Sequence, residues 1–122
     1  MIATQQTPSE DVLRDGLHKA NALAALLQEE LVLLTAGDLD SFEALQSRKA
    51  EILEPLSALL PTLSVEIPIE EGSDVDTTVA LIDDIKEVLA TCRDAHLKNA
   101  ILIDRKIEAT RSALEVLRSS RS

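Results

Sequence analysis

The feature that most limits what this chain can fold into is a stretch from about Val75 to Leu117 that reads as one unbroken amphipathic helix. At roughly 1.5 Å per residue such a stretch is about 65 Å long, whereas the first amphipathic stretch, Ser9 to Ala36, reaches only about 42 Å. A helix that outlasts its neighbours cannot bury its whole apolar face within the chain. The uncovered part of that face marks a binding surface.

Composition agrees with a helical architecture. The 122 residues suffice for one domain, 45% of them are hydrophobic, and Phe42 is the only aromatic residue beside three glycines and four prolines. This is the make-up of an all-α bundle. Without Trp or Tyr there is no stacking platform for bases or flat cofactors, and a formal net charge of -10 opposes binding to nucleic acid, which needs a basic surface. Met1 to Pro8 holds no basic segment leading into an apolar run, so it does not read as a secretory signal. The most apolar window, Leu23 to Leu34, is broken by Gln28, Glu29 and Glu30 and falls short of the roughly 20 residues a membrane span requires. The expectation is a cytoplasmic protein with no membrane insertion.

Chemistry has little to work with. Cys92 stands alone, which rules out an intramolecular disulfide and a cysteine metal site and leaves it as a small buried residue on the seam of the third helix. There is no glycine-rich phosphate loop, no nucleophile elbow and no histidine pair at metal spacing. Carboxylates such as Asp83, Asp84 and Glu87 read as solvated helix faces. The chain is expected to be neither an enzyme nor a holder of any metal or cofactor.

Periodicity sets the elements. Over residues 9–36, Leu13, Leu17, Ala20, Ala24, Leu27, Leu31 and Leu34 alternate four and three apart and share one face. Ser9 is placed to cap the start, and Gly37 to end the helix in a left-handed conformation. A second helix is predicted over 38–60, opened by Asp40 and Glu43 as a capping box, with Phe42, Leu45, Lys49, Ile52, Leu56, Leu59 and Leu63 in its stripe. So short a connection makes an antiparallel hairpin. Lys49 interrupts the stripe: it either pairs with Glu30 across the hairpin and fixes the register, or carries its ammonium out to solvent. Pro55 predicts a kink or a new short helix. Residues 61–74, with Pro61, Pro68, Glu70, Glu71 and Gly72, read as an acidic connecting loop.

A third helix is predicted over 75–119, with a cap between Ser73 and Asp76. Ile82, Ile85, Leu89 and Cys92 close a three-helix bundle. The same heptad brings His96 and Asn99 onto the seam, and Ile103, Ile107, Leu114 and Leu117 follow with the phase shifted by about one residue. Running alongside the first helix, this helix should pass the hairpin turn near residue 103, beyond which nothing is left to cover the stripe. Charge changes at nearly the same place. Residues 1–92 hold five Lys and Arg against 18 Asp and Glu, and residues 93–122 hold seven against four. Arg105, Lys106, Arg111, Arg118 and Arg121 either complement the helix dipole or help to receive an acidic or amphipathic partner segment.

His96, followed by Leu97 and Lys98, invites comparison with histidine phosphotransfer domains. Those carry leucine, lysine and glycine two, three and four residues after the histidine, whereas here Leu97, Lys98 and Asn99 come one residue early. One residue is about 100° of rotation on a helix, so His96 is expected to be structural and bonded to a polar neighbour.

Two segments resemble the FlgN-type flagellar export chaperones. The first reads LLQEELVLLTAGDLDSFEALQSRKAEIL, a leucine-rich helix with glutamate, a Gly-Asp turn and a helix with lysine, placing Glu30, Asp38 and Lys49 at the family's positions. The second reads HLKNAILI: Asn99, Leu102 and Ile103 match the family's asparagine followed by Leu-Ile, while His96 replaces its first asparagine. The resemblance covers roughly residues 13 to 118. It implies a cytoplasmic chaperone that binds the disordered, amphipathic C-terminal segments of the hook-filament junction proteins FlgK and FlgL and delivers them to the flagellar type III export apparatus. Cargo would contact Asn99, Leu102, Ile103, Ile107, Leu114 and Leu117 on the terminal helix, with Glu30, Lys49, Cys92 and His96 structural. Members often use a tyrosine in a following tail at the export gate; this sequence has no tyrosine, which limits the expectation to holding cargo. Other expectations stay open: a chaperone for another cargo such as the filament cap protein, or a structural coiled coil whose overhang pairs with a second copy in a homodimer.

Overall fold

Three helices form for reasons visible at their ends. A computed structural model of the chain describes residues 9–63 and 75–120, with Val75 described by its backbone alone. Helix α1 spans Glu10–Ala36. The Ser9 hydroxyl accepts a hydrogen bond from the Val12 amide at 3.2 Å, satisfying one of the first-turn donors that lack an intrahelical partner. At the other end Gly37 adopts φ 77°, the left-handed region that costs glycine least. The Asp38 amide then donates to the Leu33 carbonyl at 2.9 Å, and the chain reverses into helix α2, Leu39–Leu63.

The start of α2 departs from the expected capping box. Asp38, not Asp40, caps it, its carboxylate accepting from the Ser41 amide at 3.2 Å. The far end runs past the expected residue 60: α2 is one helix through Pro55 and Pro61, with no new helix starting after Pro55, and reaches Leu63. An interior proline removes a ladder bond and costs about 3 kcal/mol in a helix. Here Leu56, Leu59 and Leu63 around it are all buried, at roughly 1.5 to 3 kcal/mol each, and packing outweighs the loss. Of the loop expected over 61–74, the part from residue 64 on lies outside the described residues, as does Ser73 as a cap.

Helix α3 runs from Val75 to Ser120, about 69 Å against about 40 Å for α1. It lies parallel to α1 at a constant offset of 72 residues, Cys92 meeting Ala20 and Asn99 meeting Leu27. Helix α1 is the central element, because α2 and α3 each pack chiefly on α1 and little on one another. One core cluster joins Leu13, Leu59, Leu63, Leu81, Ile82 and Ile85; the next joins Ala20, Leu23, Leu27, Leu56 and Cys92. Gly16 lets α1 and α2 approach, since a Cβ there would collide with the end of the Leu59 side chain. No helix among the described residues is long and apolar enough to cross a membrane.

Candidate docking surface on the terminal helix

The apolar core ends at a buried polar cluster. Glu30 is only 1% exposed, a position where a carboxylate is tolerated only if paired and hydrogen-bonded. Lys49 Nζ supplies the counter-charge, 3.3 Å from Oε1 and 3.2 Å from Oε2. Gln46 Nε2 donates to Oε2 at 2.7 Å and Asn99 Nδ2 to Oε1 at 3.2 Å. Asn99 Nδ2 also lies 3.0 Å from the Leu27 carbonyl oxygen, and His96 Nδ1 lies 3.1 Å from Lys49 Nζ. An ammonium has no lone pair, so Lys49 Nζ is the donor in that contact and His96 Nδ1 the acceptor. Among the described residues no buried polar side-chain atom lacks a partner.

This cluster ties all three helices at one level and decides between the two readings of Lys49 in favour of the pair with Glu30. It also relocates Asn99. The resemblance placed that residue among the cargo contacts, but it is 2% exposed and committed to Leu27 and Glu30, so a partner cannot reach it without opening the bundle. Gln46, which sequence reasoning missed, makes the shortest bond to Glu30; its position three residues before Lys49, on the same face of α2, was the available signal. Cys92 is buried as expected. Its thiol donates to the Ala20 carbonyl across 3.6 Å, and desolvation raises its pKa above the ordinary 9.0, away from the thiolate character that reactive cysteines need.

Beyond the cluster the cover runs out. By the 72-residue offset, Gly37 lies opposite about residue 109 of α3. Leu102, Ile103 and Lys106 are half-buried against the end of the hairpin, and every described residue from Ile107 on is exposed. The turn is thus passed slightly later than the expected position near 103. Ile107, Leu114 and Leu117 are 51%, 59% and 62% exposed, although their spacing continues the face that Ile85 and Cys92 bury lower down. Lys106, Arg111 and Arg118 flank this stripe; Arg111 approaches Glu108 at 3.8 Å. Arg121 lies outside the described residues.

No group of three or more His, Cys, Asp and Glu that could hold a metal occurs among the described residues. Fold and surface together define a class: a three-helix all-α bundle whose terminal helix projects an uncovered apolar stripe with basic flanks. No protein-family model, no curated protein and no solved structure matches the chain.

Proposed function

We propose that the chain is a non-enzymatic export chaperone of the FlgN type, which holds the amphipathic C-terminal segments of FlgK and FlgL in the cytoplasm for the flagellar type III export apparatus. The observation that carries this reading is the change along one helix face, buried at Ile85 and Cys92 and exposed at Ile107, Leu114 and Leu117. A disordered segment folds as a helix against that face, both partners burying apolar side chains. The site consists of Ile103, Ile107, Leu114 and Leu117 with Leu102 at its edge. Lys106, Arg111 and Arg118 favour a segment with carboxylates beside its apolar stripe.

Magnitudes bound the affinity. Covering the exposed half of an Ile or Leu side chain contributes roughly 1 kcal/mol, so losing two such contacts and placing charges there costs at least about 2 kcal/mol, or roughly 30-fold in Kd. Co-purification of FlgK and FlgL C-terminal segments with the wild type and with an Ile107→Asp/Leu114→Asp variant tests the reading. Loss of capture with unchanged helicity supports it, and undiminished capture overturns it. Capture of only the filament cap protein's segment would keep the mechanism and change the cargo. The four-and-three spacing of the stripe also suits a second copy of the chain; a stable dimer in light scattering that ignores every cargo segment would favour a structural coiled coil.

A further inference from the structure

A second apolar surface lies on another side of the bundle, below the polar cluster. Because α2 and α3 hardly touch, they leave a trough of about 560 Å³ between them, floored by Leu23 and Leu27 of α1. Leu53 and Leu60, two turns apart on α2, line it while remaining 39% and 47% exposed. Lys86 and Arg93, two turns apart on α3, line it from the other side. Lys86 takes part in none of the ion pairs among the described residues, and Arg93 reaches only its exposed neighbour Asp94, at 3.9 Å. Lys49 and His96 also line the trough, but Lys49 is committed to Glu30. Among the described residues that line it none is a carboxylate. Residues 1–92 hold 18 Asp and Glu against five Lys and Arg, so this lining inverts the local charge.

We propose that the trough docks one amphipathic helix of a partner protein, its apolar face against Leu53, Leu60 and the α1 floor, and carboxylates seven residues apart paired with Lys86 and Arg93. A fourth helix there completes a four-helix bundle. Charge complementarity selects this occupant. A fatty acid needs its cation at one end of the cavity, whereas these two stand about 10 Å apart along one wall of a trough open to solvent. The projecting tip of a second copy carries Asp104, Glu108 and Glu115 among Arg105, Lys106, Arg111 and Arg118, a net positive segment that complements Lys86 and Arg93 less well than an acidic helix does. The trough is separate from the tip of α3, so the proposal does not depend on cargo binding there.

The test uses the full chain and two synthetic helical peptides with the same leucine pattern, one carrying glutamates at seven-residue spacing and one carrying lysines. Binding is followed by isothermal titration and by the methyl resonances of Leu53 and Leu60. The acidic peptide should bind the wild type and the Ile107→Asp/Leu114→Asp variant equally. It should bind at least tenfold more weakly to a Lys86→Glu/Arg93→Glu variant, which should gain affinity for the basic peptide. All four replaced residues are exposed, and circular dichroism checks that the variants fold. Equal binding of both peptides, no effect of the charge reversal, or loss of binding in the tip variant would each overturn the proposal. So would Leu53 and Leu60 shifts produced by decanoate and not by the acidic peptide, or by self-association in light scattering.

Discussion

Replacing Lys49 by methionine isolates the energetics of the polar cluster. Methionine keeps much of the apolar stem and removes the ammonium, leaving Glu30, 1% exposed, without its counter-charge. The carboxylate then retains Gln46 at 2.7 Å and Asn99 at 3.2 Å as donors. Removing one partner of a buried ion pair costs about 3–5 kcal/mol, whereas an exposed pair is worth about 0–1 kcal/mol. Two remaining neutral donors place the expected loss near the lower bound, about 3 kcal/mol, a large share of the roughly 5–15 kcal/mol that holds a typical domain together. Removing both charges should cost much less. In Glu30→Met/Lys49→Met, Asn99 still donates to Leu27 O at 3.0 Å and Gln46 to Phe42 O at 3.2 Å, so neither amide is orphaned. A coupling energy of about 2 kcal/mol is expected, within the range for contacting residues. Urea unfolding followed by far-ultraviolet circular dichroism is the assay, since the chain has no Trp or Tyr to report by fluorescence. A Lys49→Met variant within about 1 kcal/mol of wild type would place the pair among exposed ones and refute the reasoning. A double variant no more stable than Lys49→Met would do the same.

Other predictions rest on single features. Gly37→Ala puts a side chain at φ 77° in open space, so only backbone strain is added; a loss of about 1–2 kcal/mol should appear in thermal unfolding, and unchanged stability would contradict the cap. Ile107→Asp/Leu114→Asp replaces exposed residues and should leave stability within about 1 kcal/mol of wild type, about 0.5 kcal/mol per site, even where it abolishes capture. Burial raises the Cys92 pKa above 9.0, so folding favours its proton. That contribution to stability is present below the unfolded value and lost as pH rises through the folded one. The stability gap between wild type and Cys92→Ala should therefore narrow above pH 9.0 in urea midpoints taken across pH, and a widening gap would contradict the burial argument.

The fold was legible where periodicity and end chemistry act alone. Ser9, Gly37, the stripe of Leu45, Leu56 and Leu59, and the seam of Ile82, Ile85 and Cys92 all stand where spacing put them. What spacing could not show is that α1 is sandwiched between both other helices. Its single expected seam widens to take in Gly16, Leu23, Leu26 and Glu30 as buried residues, while Leu17, Ala24 and Leu31 are only half-buried. The extension of α2 through Pro61 to Leu63 was hidden for a related reason: a local penalty is visible in sequence, and the tertiary packing that offsets it is not. At the tip, length and spacing alone predicted which side chains lack cover. Asn99 shows the limit, because one seam position suits a cargo contact and a buried hydrogen-bond donor equally until Glu30 and Leu27 are seen beside it.

Amide hydrogen exchange over residues 107–120, with and without the C-terminal segment of FlgK, tests the central claim most directly. This part of α3 projects without tertiary cover, and isolated helices shorter than about 12–15 residues are marginal in water. In the free chain its amides should exchange far faster than those around Ile85 and Cys92, and the cargo segment should slow them. Exchange over 107–120 that is already slow in the free monomer, or unaltered by saturating cargo, would contradict the account.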